Sequence, residues 1–349
     1  MENSNAKGFA AMEPGVELKE WNFTRREVGA NDVQFDVSFC GVCHSDLHQV
    51  RNDWFPGRFP MVPGHEIVGR VIKVGNNVSR FKPGDLAAVG CMVDSCRNCE
   101  NCNQGFEQYC QNGSTLTYNS LEQDGETETY GGYSNTIVVN EDFVLKLSDK
   151  LDLAASAPLL CAGITTYSPL RHWNVGKGDK LAVVGLGGLG HMAVKFGVAF
   201  GADVTVLSTS AYKEEDAKKL GAHHFVVTTD EAQVSQARGS FDYILDTVSA
   251  PHDFALYLSL LKTNGTHILV GLPSEPIQFP PFSIVGGRKS VGGSSIGGIA
   301  ETQEMLDFCA EHDIVSDIEL IDIKDIKTAF ERMEKGDVRY RFVIDISTI

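Results

Sequence analysis

The sequence predicts a two-domain α/β protein in which a doubly wound parallel sheet accompanies an irregular β-rich domain. Three observations predict it. At 349 residues the chain is too long for one comfortable hydrophobic core, so two domains are the natural expectation. From about residue 175 short apolar strands alternate with helices, the signature of right-handed crossovers over a parallel sheet covered on both faces. Before that point the chain reads instead as short strands and turns, the texture of an irregular barrel-like domain.

The elements justify this in order. Val33–Phe39 is rich in β-formers, Ile67–Val74 alternates, and Lys82-Pro83-Gly84-Asp85 is a turn leading into Leu86–Val89. Residues 117–135 are polar and Gly-rich and read as a surface loop. In the second texture, Lys180–Val184, Asp203–Leu207, Phe225–Thr228, Tyr243–Asp246 and His267–Val270 are strand candidates. Helices are expected over Gly188–Phe200 and Lys213–Leu220, with another between the last two strands. After residue 290 the pattern is mixed, with helices over Glu301–Glu311 and Ile323–Glu334 and a strand over Tyr340–Asp345. Periodicity alone leaves open whether this tail extends the parallel sheet or returns to the first domain.

Composition narrows the function classes. Hydrophobic residues make up 42% and charged ones 22%, ordinary for a globular protein. A net charge of −16 argues against a polyanionic partner such as nucleic acid. No apolar run approaches the ~20 residues that span a bilayer, so no membrane association is expected. The start, Met1 to Lys7, lacks a basic segment followed by an apolar one, so no export signal is expected and a reducing cytoplasm is.

In that setting Cys96-Arg97-Asn98-Cys99-Glu100-Asn101-Cys102, closed by Cys110, reads as a metal site rather than a disulfide framework. Two-residue gaps let neighbouring thiolates reach one ion, and four sulfurs suit a closed tetrahedral structural zinc. The bacterial iron–sulfur run places its fourth Cys after three residues and follows it with Pro. Here seven residues intervene and Gln111 follows. Such a zinc stabilises the fold without performing a reaction.

The chemistry is sought elsewhere. Gly185-Leu186-Gly187-Gly188-Leu189-Gly190 follows the strand Lys180–Val184 directly and opens a helix. This is the strand–turn–helix context in which a G-x-G-x-x-G loop binds a dinucleotide pyrophosphate. At the end of the next strand an acidic residue would bind the ribose hydroxyls of NAD. The chain reads Ser208-Thr209-Ser210-Ala211-Tyr212-Lys213 there, hydroxyls and a cation that suit a 2′-phosphate, so NADP(H) is expected. A second metal site is offered by Cys40, Cys43, His44 and His48, by His65 and Glu66, and by Cys161. Two cysteines and one histidine around an open position form an attested catalytic zinc set. Spacing does not choose Cys43 over Cys40, or His65 over His44 or His48.

These motifs carry a resemblance. Gly41-Val42-Cys43-His44-Ser45-Asp46, Gly64-His65-Glu66, the Cys96–Cys110 cluster, Pro158-Leu159-Leu160-Cys161-Ala162-Gly163 and the Gly185–Gly190 loop occur in the order of one family. The segments 301–308 and 336–342 match it as well. The chain resembles the zinc-dependent medium-chain alcohol dehydrogenases, specifically the cinnamyl alcohol dehydrogenase branch and its bacterial NADPH-dependent, broad-range aldehyde reductases, nearly end to end. The resemblance implies a GroES-like catalytic domain over 1–153 and 290–349, with a Rossmann NADP-binding domain inserted over 154–289. It implies two zinc ions per chain, the catalytic one on Cys43, His65 and Cys161, with Glu66 beside it. Ser45 and His48 match the proton relay. Thr165, Thr247, Gly271, Ser294, Ser295 and Ile296 match positions lining the nicotinamide and its ribose, and Leu47, Trp54 and Met92 match the substrate wall. Cys40, Cys91 and Cys309 remain as packing residues. Ser295 stands where plant lignin-forming members commonly carry an aromatic residue, which implies a wider aldehyde range. The implied reaction is reversible reduction of aldehydes to primary alcohols, in a homodimer.

Overall fold

The computed structural model describes residues 4–349. The first residues on which the export-signal expectation rests, Met1–Asn3, lie outside that range. The chain divides into two compact units, one of Met1–Ile164 with Gly297–Ile349 and one of Thr165–Ile296. The boundaries therefore fall at 164/165 and 296/297, not at 153/154 and 289/290. At the first of them the helix Ala162–His172 runs straight across with no linker composition to mark it. Cys161 accordingly belongs to the same unit as Cys43 and His65.

The first unit is built on a sheet of order Ile318–Asp322, Arg341–Asp345, Asp32–Gly41, Ile67–Val74, Leu86–Val89 and Leu145–Lys146, with Thr136–Asn140 also paired to Asp32–Gly41. Asp32–Gly41 is the hub because three strands pair with it, Ile67–Val74, Thr136–Asn140 and Arg341–Asp345, and Val33, Phe35 and Val37 bury one of its faces. The tail strand Arg341–Asp345 pairs antiparallel with it, setting Val343 opposite Gly41. Two strands absent from the sequence reading, Ser4–Ala11 and Leu18–Arg25, form a separate antiparallel pair. Residues 117–135 are largely irregular but are not simply a surface loop. Tyr118, Tyr133 and Ser134 from this segment are buried, because their polar tips find partners inside: the Tyr133 hydroxyl donates to Asp46 Oδ2 at 3.1 Å.

The second unit holds six strands in the order His224–Val227, Asp203–Ser208, Lys180–Val184, Phe241–Asp246, Leu261–Leu269 and Ser290–Gly293, every pair parallel. The order reverses between Lys180–Val184 and Phe241–Asp246, and such a switch point opens a crevice outside the strands' carboxyl ends. Leu181, Ala182, Val183 and Val184 are all buried, as a strand covered on both faces requires. Ala182, Val184, Leu207, Ile244, Phe254 and Leu258 pack in one cluster on one side of the sheet.

Local boundaries differ modestly from expectation. The helix after the glycine loop runs Gly190–Ala199, because the glycines form the turn. The helix expected over Lys213–Leu220 is Glu214–Lys219 after a short 3-10 turn, Ala211–Lys213. The helix expected from Ile323 starts at Ile326, also after a 3-10 turn. The strand expected over His267–Val270 is the end of the longer Leu261–Leu269. Ser290–Gly293, unread in the sequence, forms one edge of the sheet. Among the described residues no helix is long and apolar enough to cross a membrane.

Candidate active site

Two clusters of metal-ligand type lie in the first unit. In one, ligand atoms of Cys43, His65, Glu66 and Cys161 all fall within 4.8 Å of one another, every residue buried. Cys43 is placed by the junction of Asp32–Gly41 with the helix His44–Arg51, which it caps. His65 and Glu66 follow Gly64, whose φ of +101° turns the chain into the strand Ile67–Val74. Cys161 ends the turn Ala157–Leu160. Two sulfurs held tetrahedrally at ~2.3 Å from zinc would lie about 3.8 Å apart. Cys43 Sγ and Cys161 Sγ are separated by 3.9 Å, so the donor set and its spacing fit that ion. Cys40, although buried, bonds to the Gly41 carbonyl instead, and neither His44 nor His48 belongs to the cluster.

Asp46 organises this cluster and was not singled out in the sequence. Fully buried, it accepts from Cys43 N at 2.9 Å and Gly64 N at 3.1 Å, as well as from Tyr133. Its Oδ1 lies 3.2 Å from His65 Nδ1, which leaves Nε2 of that imidazole for a metal, the usual carboxylate–histidine–metal arrangement. Burial works against charge on His65, but neighbouring Cys91 and Asp46 outweigh it and hold the imidazole well above its ordinary value. The contact between the two thiols pulls Cys43 down and pushes Cys161 up. Cys91 Sγ lies 3.8 Å from the Leu160 carbonyl, and the neighbouring Cys161 thiol holds it below its ordinary value.

Glu66 is fully buried. One carboxylate oxygen accepts from Arg341, and Oε2 has no protein partner. A side chain at residue 41 would overlap that carboxylate, which explains Gly41. Burial pushes the Glu66 carboxyl up and the Arg341 guanidinium opposes it. Neither Arg341 nor its partnership with Glu66 was legible in the sequence.

Ser45 and His48 lie on the same helix as Cys43. Ser45 Oγ is 3.5 Å from Cys43 Sγ. His48 Nδ1 lies 3.1 Å from Asp53 Oδ2, and its ring stacks on Trp54 at 4.7 Å. Leu47 and Met92 are buried in the unit's core, whereas Trp54 is partly exposed against His48.

In the second cluster Cys96, Cys99, Cys102 and Cys110 converge within the same 4.8 Å. Sulfur separations are 3.9 Å for Cys96–Cys102 and 3.4 Å for Cys99–Cys102. Backbone N–H groups of Cys96 and Gln111 point at Cys110 and Cys99. Such donors favour thiolates: backbone N–H from Asn98 heads the causes pulling Cys96 down to about 6, while burial pushes Cys102 up to about 12.

In the second unit the predicted cofactor residues gather at the carboxyl ends of the strands. Gly185 follows Lys180–Val184 with a φ of +85°, and a Cβ there would meet Val248 Cγ2 at 2.8 Å. A Cβ on Gly190 would overlap the Gly185 carbonyl, while one on Gly187 would meet nothing within 4 Å. Leu186 is buried, and Gly188 and Leu189 complete the turn into the helix. Ser208 ends its strand and accepts from Ser210 N at 3.1 Å. Lys213 Nζ reaches back to the Leu186 carbonyl at 3.2 Å, and Thr209 is exposed between them. Thr247 directly follows Phe241–Asp246 and donates to the Val184 carbonyl at 2.7 Å. Gly271 lies just beyond Leu261–Leu269, and Ser294, Ser295 and Ile296 follow Ser290–Gly293. Thr165 lies instead on the helix Ala162–His172.

Comparison with known proteins matches residues 29–149 to the alcohol dehydrogenase GroES-like domain and residues 188–311 to the zinc-binding dehydrogenase family. A protein of Mycolicibacterium smegmatis named NADP-dependent alcohol dehydrogenase C 1 is 53% identical over 347 residues, 99% of each chain. A probable mannitol dehydrogenase of Medicago sativa is 53% identical over 98% of this chain and 95% of its own. A solved cinnamyl alcohol dehydrogenase of Sorghum bicolor superposes with a TM-score of 0.95 at 47% identity, over 99% of this chain and 98% of that one.

Proposed function

With a chain that belongs to the zinc-dependent medium-chain alcohol dehydrogenases as premise, we propose that Cys43, His65 and Cys161 hold the catalytic zinc of an NADPH-dependent aldehyde reductase. The protein is an alcohol dehydrogenase, an oxidoreductase interconverting aldehydes and primary alcohols. The observation that carries the site assignment is the convergence of two thiols, an imidazole and a carboxylate with a sulfur separation of 3.9 Å. The Cys96, Cys99, Cys102 and Cys110 cluster holds a second, structural zinc.

When bound, zinc supplies Lewis acidity toward a substrate oxygen and NADPH supplies the hydride. The chain's own work is to hold and orient. Asp46 fixes the His65 tautomer, so that Nε2 faces the cluster. Arg341 ties down one oxygen of Glu66 and leaves Oε2 without a protein partner, so that this carboxylate is a reserve ligand beside the cluster. Ser45, next to Cys43, passes a proton at its hydroxyl. His48, braced by Asp53 and Trp54, takes it toward solvent.

On the second unit the glycine loop receives the pyrophosphate at the start of Gly190–Ala199. Ser208, Thr209, Ser210 and Lys213 receive the 2′-phosphate, where a carboxylate would repel it. The edge strand Ser290–Gly293 with exposed Phe282, Val285 and Val291 supports a homodimer formed on that edge. The six cysteines of the two clusters must stay reduced to hold metal, which supports a cytoplasmic setting.

The test is NADPH oxidation with zinc-replete protein against aliphatic, aromatic and sugar aldehydes, repeated with NADH. Turnover of apolar aldehydes with a clear preference for NADPH is expected. No turnover with any aldehyde refutes the reductase reading, and best turnover with sugars would make it a polyol enzyme.

A further inference from the structure

Asp246 ends the central strand Phe241–Asp246 and is fully buried. Its Oδ2 faces two imidazole nitrogens, His252 Nε2 at 2.8 Å and His267 Nε2 at 3.0 Å, and its Oδ1 accepts from Val248 N at 3.1 Å. The second nitrogen of His252, Nδ1, lies 2.8 Å from the Ala250 carbonyl. A carbonyl cannot donate, and neither can an ionised carboxylate. Both bonds of His252 therefore exist together only when both of its nitrogens carry protons. His267 differs: its Nδ1 is buried without a partner, so the single Nε2 proton meets its needs.

The bonded loop is the one that meets the glycine turn. Val248 Cγ2 stands against Gly185, and the Val248 backbone presses on Gly271 so closely that a Cβ there would overlap it. Ser249 Oγ accepts from Leu272 N at 3.1 Å, tying the loop to the segment after Leu261–Leu269. Thr247 Oγ1 grips Val184, the residue before Gly185. The segment that His252 joins to Asp246 thus lies against both Gly185 and Gly271.

We propose that His252 is a positioning residue: its imidazolium clamps the Thr247–Asp253 loop, so NADP(H) binds more tightly when His252 is protonated than when it is neutral. This rests on the reading of the second unit as the NADP(H) site. The groups facing His252 are Asp246 from its strand, Asp253 at the next position, His267 across the shared carboxylate, and Tyr257 of the helix Phe254–Leu260, whose ring is 5.4 Å away. The carboxylates dominate: the hydrogen bond to Asp246 is the largest cause holding His252 above its ordinary value.

The test is the dissociation constant of NADPH, read from dihydronicotinamide fluorescence, for the full-length protein and for His252→Gln. The variant is expected to bind about fivefold more weakly at low pH, converging on the native protein as His252 loses its proton at higher pH. A ratio that stays constant with pH overturns the proposal, because a merely structural loss acts at every pH. A second reading needs no variant. By reciprocity, NADPH must raise the titration midpoint of the His252 ring, followed by NMR on histidine-labelled protein. An unchanged midpoint on saturation also overturns it. Failure of NADPH to bind at any pH would instead remove the site assignment on which the proposal rests.

Discussion

Replacing Gly187 by Ala separates binding from folding at the glycine loop. A Cβ at this position meets no atom within 4 Å, and the backbone lies outside the left-handed region. The folded protein should accept the methyl without strain, and the loss of unfolded-state freedom should stabilise it by about 0.4–1 kcal/mol. The pyrophosphate, however, needs the backbone to approach closely at the middle glycine of such a loop. Forcing a methyl into that contact costs roughly 1–3 kcal/mol, which is about 5- to 150-fold in affinity. Gly185→Ala is the contrast. With φ at +85° and Val248 Cγ2 only 2.8 Å from the new Cβ, it should lower stability by about 1–3 kcal/mol even without cofactor. Thermal unfolding of the free protein and fluorescence titration with NADPH measure the two effects. Full affinity in a stable Gly187→Ala protein would show that the pyrophosphate does not lie on this loop.

Other predictions concern charge. Ser208→Asp should shift preference from NADPH toward NADH in steady-state kinetics; unchanged selectivity would reject the role of Ser208. Arg341→Met leaves the buried Glu66 carboxylate without its cation and should lower stability by about 3–5 kcal/mol. A chemical-denaturation midpoint equal to the native one would contradict that. The Asp246–His252 pair should shape the pH dependence of stability. His252 is raised from 6.5, so its contribution is complete below that value and lost as pH rises through the higher folded-state value. For Asp246, burial alone would raise the carboxyl, but bonds from His252 and His267 hold it below 3.8, so its contribution is lost only as pH falls beneath that. His252→Gln should therefore destabilise most at mildly acidic pH and least at alkaline pH; a destabilisation independent of pH would show that the pair is not ionic.

The parts of this protein that were legible in its sequence are those written locally. Cys96 to Cys110 and the strand–glycine-loop–helix around Gly185 each complete their pattern within a few residues, so spacing alone conveys the geometry. The other cluster is assembled across the chain. Cys43 and Cys161 are 118 residues apart and Glu66 and Arg341 are 275 apart, and only the sheet order brings them together. Residue spacing could not choose Cys43 over Cys40; the family resemblance did. The fold shows why: Cys43 leaves the strand at a helix start, whereas Cys40 points into the core. Asp46 left one signal, an acid three residues after Cys43 at a helix start, the position of a capping-box partner. Tyr118 and Tyr133 were hidden in a polar, Gly-rich stretch because their burial depends on Asp46 and not on their neighbours. The domain boundary inside Ala162–His172 was invisible because a continuous helix carries no linker composition.

Zinc content of purified Cys161→Ala, measured alongside its activity and unfolding, tests the central claim most directly. Cys161 joins Cys43, His65 and Glu66 in one cluster and takes no part in the Cys96–Cys110 cluster. The expected result is a fall from two zinc ions per chain to one, with aldehyde reduction lost and cooperative unfolding retained. Two fully occupied zinc ions in the variant, or undiminished turnover, would contradict the assignment of the catalytic metal to this cluster.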